Sequence, residues 1–164
     1  MNLHIGSSPP VLTFLALTVL FTLSPGRVFS HYQRHGHSRV TPEEVLHYVN
    51  VYREGRGLKP LKMNSTISYV AEGHSAEMAH RSIPFGHAGF DNRAHRLSKE
   101  LSPVHATAEN VAYGNVSARK VVDLWIHSSG HRRNMLGNYN LTGIGIASDR
   151  HGALYFTQIF INNK

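Results

Sequence analysis

The amino-acid sequence predicts an α+β domain in which helices come first and a pair of antiparallel strands closes the chain. Apolar residues recur at helical spacing after Thr41 and again after Asn64, and Ser117 introduces a further helical stretch. Two strand segments lie in the last quarter of the chain, on either side of a hairpin turn.

The first helix opens at Thr41-Pro42-Glu43-Glu44, a capping box with proline at the first helical position. Val45, Val49 and Tyr52 form its inner stripe, and Gly55 and Gly57 stop it. A loop through Pro60 leads to a second helix over about Ser65 to His80, with Ile67, Val70, Ala71, His74 and Met78 inward. Segment 81–90 reads as a loop carrying His87. Asp91 is expected to cap a short polar helix ending near Leu101.

Glu109 to Tyr113 begins the next ordered stretch. Ser117 caps a helix running through Ser128, with Val121, Leu124 and Trp125 inward and Gly130 as its stop. Strands follow at Ile144–Ser148 and Leu154–Ile161, joined by the turn Asp149-Arg150-His151-Gly152. Phe156, Gln158 and Phe160 then share one face, and Tyr155, Thr157, Ile159 and Ile161 the other. A Gln buried among aromatics needs a hydrogen-bond partner, and the cleft or a neighbouring loop is the expected one.

The chain has 164 residues, enough for one cored domain and too few for two. Val11 to Leu23 is a run of apolar residues and threonines, too short to span a bilayer and suited to a secretory signal peptide. Residues 1–30 are read as that signal, with an uncleaved anchor as the alternative; 31–40 form a His-rich lead-in and 41–164 the domain. No second apolar run follows, so no transmembrane segment is expected after signal removal, and the mature protein is expected to be extracellular. There is no cysteine, so stability rests on the core. The formal charge is +7, spread without blocks or interleaved aromatics; this favours attraction to anionic surfaces and argues against a nucleic-acid site. Three N-glycosylation sequons begin at Asn64, Asn115 and Asn140.

Chemistry-bearing residues gather in four short signatures. These are Phe85-Gly86-His87-Ala88-Gly89-Phe90, Ala108-Glu109-Asn110-Val111-Ala112-Tyr113-Gly114, Gly130-His131-Arg132-Arg133-Asn134 after the sole tryptophan, Trp125, and Tyr155-Phe156-Thr157-Gln158-Ile159-Phe160. In that order they resemble the CAP superfamily of cysteine-rich secretory, antigen 5 and pathogenesis-related proteins, over about residues 42 to 161. The lack of cysteine is similar to the bacterial branch. The resemblance implies a three-layer α-β-α sandwich with a central antiparallel sheet.

It also implies a cleft in which His87, Glu109 and His131 meet. Some members bind a divalent metal there, and two imidazoles with a carboxylate would suit Zn²⁺. The alternative is structural: Glu109 accepts backbone N–H groups or pairs with an arginine, and the histidines tie loops together. The family's second glutamate commonly stands three residues after the tryptophan, where this chain has Ser128. His127 is the neighbouring substitute, about 100° away in helical phase. No cysteine or Gly-x-Ser-x-Gly elbow supplies a nucleophile, and a Ser128 or Ser129 pair with His131 lacks an orienting Asp, since Asp123 is expected in solvent. Trp125 is expected in the core, and Asn134 is expected to bond the loop after His131. His31, His35 and His37 suggest a weaker Cu²⁺ chelate in the tail, against a solvated tail as the plain alternative.

Three functions follow as expectations. The first, and favoured, is a secreted binding protein for a small apolar or lipid-like ligand or an extracellular partner. The second is a metal-dependent hydrolase using His87, His131 and Glu109. The third is an envelope-associated module held to anionic polymer by charge.

Overall fold

The computed structural model describes residues 40–164. The expected signal peptide and the tail histidines lie outside the described residues. No helix among the described residues is long and apolar enough to cross a membrane.

Helix α1 (Pro42–Glu54) begins as its sequence dictates: the Thr41 side chain accepts the Glu44 N–H, and the Glu44 carboxylate accepts the Thr41 N–H. Val45, Val49 and Tyr52 are buried on one face. Strand β1 is the two-residue Lys62–Met63. Asn64 then caps helix α2 (Ser65–Ala79) through the Ile67 N–H. All five expected inward residues of α2 are buried, together with Ser75 and Ala79.

Helix α3 (Phe90–Glu100) departs from expectation at its start. Gly89, in the left-handed region at φ 75, is the N-cap and makes no side-chain cap bond, so Asp91 sits inside the first turn. Its carboxylate still favours the positive end of the helix dipole from there. Strand β2 (Ala106–Gly114) begins three residues before Glu109.

Helix α4 (Ala118–His127) is capped by Ser117, whose Oγ accepts the Lys120 N–H. Its buried residues are Ala118, Val121, Val122 and Trp125, whereas Leu124, expected inward, is 45% exposed. Gly130 does not stop this helix. Ser128, in extended conformation, separates α4 from a short helix α5 (Ser129–Met135) that contains Gly130 and His131.

Strands β3 (Leu141–Ser148) and β4 (Leu154–Asn162) pair antiparallel, and β4 pairs antiparallel with β2. The order is β1-β3-β4-β2, with β1 parallel to β3. The sheet is thus antiparallel apart from one short parallel edge, and β2 is the opposite edge.

Strand alternation distributes the core into two layers. On one face, Phe156 and Phe160 of β4 and Ile144 of β3 pack with Val45, Val49, Val121, Trp125 and Met135 from α1, α4 and α5. On the other face, Ile159 and Ile161 pack with Ile67, Val70 and Ala71 of α2 and Leu97 of α3. Each fully buried side chain of this size contributes about 1.5–3 kcal/mol relative to exposure. The result is the α-β-α sandwich, with α2 pressed against the sheet where Gly143 and Gly145 carry no side chain.

Candidate functional site

The register of the edge strand places the site. Glu109 faces Ile159 across the β2–β4 ladder and therefore looks toward α2 and α3, while the next residue, Asn110, pairs with Gln158 and looks toward α5. A carboxylate on a core-facing position must find partners, and Glu109, 5% exposed, finds several.

Its strongest partner is Arg93 of α3. The guanidinium donates from Nε to Oε2 and from Nη2 to Oε1, each at 2.9 Å, in the planar two-bond geometry that suits arginine and carboxylate. A third donor, Nη1, bonds the carbonyl of Ala88 at 2.7 Å and so fixes the loop that carries His87. His87 Nδ1 then lies 2.9 Å from Glu109 Oε1. Since the carboxylate only accepts, Nδ1 carries a proton, and Nε2 is the free ring nitrogen of a side chain that is 51% exposed.

His74 of α2 completes the surroundings. Its Nε2–H donates to the Gly86 carbonyl at 2.9 Å and lies 3.9 Å from Glu109 Oε1. The ring is wholly buried and its Nδ1 has no hydrogen-bond partner among the described residues. Burial lowers the pKa of His74, opposed by the hydrogen bond to Gly86, so the ring is held neutral.

His131 approaches from the other face of the sheet, on α5. Two asparagines anchor that helix to β2. Asn110 Nδ2 donates to the His131 carbonyl at 3.1 Å, and Asn134 Nδ2 donates to the Glu109 carbonyl at 3.1 Å and to Asn110 Oδ1 at 2.9 Å. Asn134 therefore bonds the strand, not the loop after His131, because α5 continues where a loop was expected. The His131 ring leans toward Trp125, 6.5 Å between centroids, and Trp125 itself is core at 1% exposure. Burial lowers the pKa of His131, and the nearby charge of His87 adds to that. The two histidines thus flank the open edge of β2 from opposite faces.

Other sequence candidates stand apart. His127 is exposed and bonds the backbone of its own helix at Asp123, so it does not replace the carboxylate missing at Ser128. Asp123 is half-exposed and engaged by Lys120. Gln158 turns neither to the cleft nor to a loop: its Nε2 bonds Thr142 Oγ1 on β3 at 3.1 Å, and Thr142 Oγ1 donates onward to the Ile159 carbonyl.

The carboxylate of the three-residue zinc set is already engaged: Oε1 accepts from Arg93 Nη2 and His87 Nδ1, and Oε2 accepts from Arg93 Nε. Among the described residues no group of three or more His, Cys, Asp or Glu is placed to hold a metal. What remains is two imidazoles over an ion-paired carboxylate.

Arg93 and His74 were not legible as site residues. One signal pointed to the first: a buried carboxylate demands a cation. The sequence offers Arg93 and Arg96 one turn apart on α3, and only the packing chooses between them.

Residues 46–160 match the family described as CAP: Cysteine-rich secretory protein family. The uncharacterized protein YkwD of Bacillus subtilis is 35% identical over 126 residues, 73% of this chain and 46% of that protein. This chain spans less than half the length of the curated relatives it matches. Among solved structures, a cysteine-rich secretory protein from Staphylococcus aureus aligns with a TM-score of 0.62 at 27% identity, over 75% of this chain and 38% of that one. An extracellular SCP-domain protein from Bacillus anthracis aligns at 0.60 with 24% identity, over 73% and 39% of the two chains.

Proposed function

Because the chain belongs to the CAP family of cysteine-rich secretory proteins, we propose that it works outside the cell as a binding module, with the edge of β2 as its recognition surface. The apolar run at residues 11–23 and the extracellular B. anthracis neighbour support the location.

The observation that carries the non-enzymatic reading is the engagement of Glu109. General-base catalysis needs a carboxylate or imidazole free to take a proton from water or substrate. Glu109 is spent on Arg93 and His87 and is not that carboxylate. Among the described residues no serine hydroxyl hydrogen-bonds His87 or His131; the turnover test below asks whether either imidazole acts as a base. The cleft presents two imidazoles: His87, oriented by the bond of its Nδ1 to Glu109, and His131, whose ring burial holds neutral.

A small apolar ligand needs an apolar cavity. A cavity of about 880 Å³ beside β1, which contains none of His87, Glu109 and His131, is lined by Arg53, Lys59 and Lys62 together with Leu58, Pro60, Leu136, Tyr139 and Leu141, and so offers both polar and apolar contacts.

The test is turnover and Zn²⁺ titration on the full chain, against a His87→Ala/His131→Ala variant that keeps the tail histidines. No hydrolysis of ester, peptide or glycoside probes is expected with or without Zn²⁺, and no equivalent of Zn²⁺ that the variant loses. Zn²⁺-dependent turnover that disappears in the variant would make the protein a hydrolase.

A further inference from the structure

Beside the cleft lie three aromatic rings that the hydrophobic effect has not buried. Tyr113 of β2 and Tyr155 of β4 are direct cross-strand partners whose rings stack at 5.6 Å with planes 21° apart. Phe85, from the loop that carries His87, packs edge-on against both, 4.8 Å from Tyr113 and 6.5 Å from Tyr155. Tyr113 is 58% exposed and Phe85 47%. Each ring limits the rotamers of the others, so little side-chain entropy remains to be lost on binding.

The tyrosine hydroxyls give the cluster polar edges. The stacked tyrosine rings, walled by the edge-on Phe85, complement the C–H face and hydroxyl edge of a pyranose.

Charge at the same end of the sheet sets the ligand's sign. The loop enters through Arg81, at the position just past the end of α2, and the turn after β3 brings Arg150. Together with His80, Asp149 and His151 they line a cavity of about 300 Å³. Arg81 stands at φ 58, the left-handed conformation that glycine normally supplies where a helix ends. A non-glycine residue is strained there, and no hydrogen bond from its side chain offsets that strain among the described residues. The guanidinium stands exposed, close enough to Asp149 to lower the pKa of that carboxyl.

We propose that the Phe85–Tyr113–Tyr155 platform, with Arg81 beside it, binds an acidic glycan: pyranose rings stack on the aromatics while their carboxylates meet the arginine. His87 Nε2, two residues from Phe85, hydrogen-bonds a hydroxyl of the same chain. This rests on the binding-module reading and adds to it a surface and a ligand class.

The probes are hyaluronan and galacturonate oligosaccharides, titrated calorimetrically into the full chain at low and physiological salt. The comparison ligands are an uncharged N-acetylglucosamine hexamer and phosphatidylglycerol vesicles. Expected is salt-sensitive binding of at least one acidic oligosaccharide, weakened tenfold or more by Tyr113→Ala and little changed by Tyr113→Phe. Arg81→Gly is expected to lose both affinity and salt dependence while its thermal midpoint stays level or rises, which separates lost binding from lost folding. Absence of binding by both acidic chains overturns the proposal. So does equal or tighter binding of the hexamer or the vesicles, and so does parent-like affinity in Tyr113→Ala. Failure here leaves the binding-module reading standing, while Zn²⁺-dependent turnover would remove that reading without touching the glycan result.

Discussion

At the scale of single residues, Glu109 is the hinge of the site, and its neighbours explain why its signature and a pairing with arginine were readable and the identity of that arginine was not. The order of His87, Glu109, Asn110 and His131 along the chain marks a cleft, because each sits in a short distinctive context. What each side chain does depends on Arg93, which carries no such context: it stands in a polar helix among other cations. The carboxylate, 1% exposed, and the guanidinium, 12% exposed, form a nearly buried pair. Removing the charge from one partner strands the other, which costs about 3 kcal/mol or more. Glu109→Gln, nearly isosteric, is therefore expected to lower unfolding free energy by about that amount in urea titration. It should also release the His87 ring, seen as loss of its fixed Nδ1–H tautomer by NMR. A change within 0.5 kcal/mol would mean the pair contributes almost nothing and that Glu109 is available for other chemistry. Arg53 makes a parallel case away from the site. It is 2% exposed, has no acidic partner among the described residues, and donates to the carbonyls of Lys59, Met135, Gly137 and Tyr139. Arg53→Met would leave several buried carbonyls without donors, each costing about 1–3 kcal/mol; a loss of less than 1 kcal/mol by denaturation would contradict that account.

At the scale of elements, what was legible is what local chemistry decides alone. The start of α1 follows from a capping box, the stripe of α2 from apolar periodicity, and the start of α4 from Ser117. The misses are places where tertiary contacts outweigh local signals. Strand β1 has two residues and no alternation to detect; it exists because β3 lies alongside. Helix α5 begins at a residue whose side chain makes no cap bond and contains a glycine normally read as a stop. It is held by Met135 in the core and by the asparagine bonds to β2. The packing of α2 on β3 is likewise a tertiary fact. A Cβ added at Gly145 would overlap the backbone of Ala71 and Glu72, and one added at Gly143 would overlap that of Ile67 and Ser68. Backbone atoms cannot step aside as a side chain does, so Gly145→Ala is expected to destabilise by about 3 kcal/mol or more, the upper end for overpacking. Gly73, on the solvent side of the same helix, has nothing within 4 Å of the added atom. Gly73→Ala should therefore stabilise by about 0.5–1 kcal/mol through helix propensity alone. Opposite signs in the two thermal melts would confirm close contact between α2 and β3; a neutral Gly145→Ala would refute it.

At the scale of the whole molecule, the response to acid follows from which histidines the fold buries. His74 lies between α2 and the Glu109 cluster, facing Arg93, Glu109 and Glu77, and His131 faces His87 over the sheet edge. Burial lowers both pKa values below the ordinary histidine value of 6.5. An unfolded chain therefore takes up these protons at a higher pH than the folded one. The stability contributed by keeping the rings neutral is complete above pH 6.5 and is lost as pH falls from there through the folded values. For the wholly buried His74 the slope can reach about 1.4 kcal/mol per pH unit. His131 is partly exposed, and water screens its contribution to less. Unfolding free energy measured in urea between pH 7.5 and 5 should fall on the acid side. A His131→Ala variant, whose lost ring makes no hydrogen bond among the described residues, should show a shallower fall. A curve flat from 7.5 to 5, or one identical in the variant, would mean that neither ring is desolvated as the packing implies. The other described histidines are exposed, so the comparison with the variant, not the parent slope, isolates the contribution of the His131 ring.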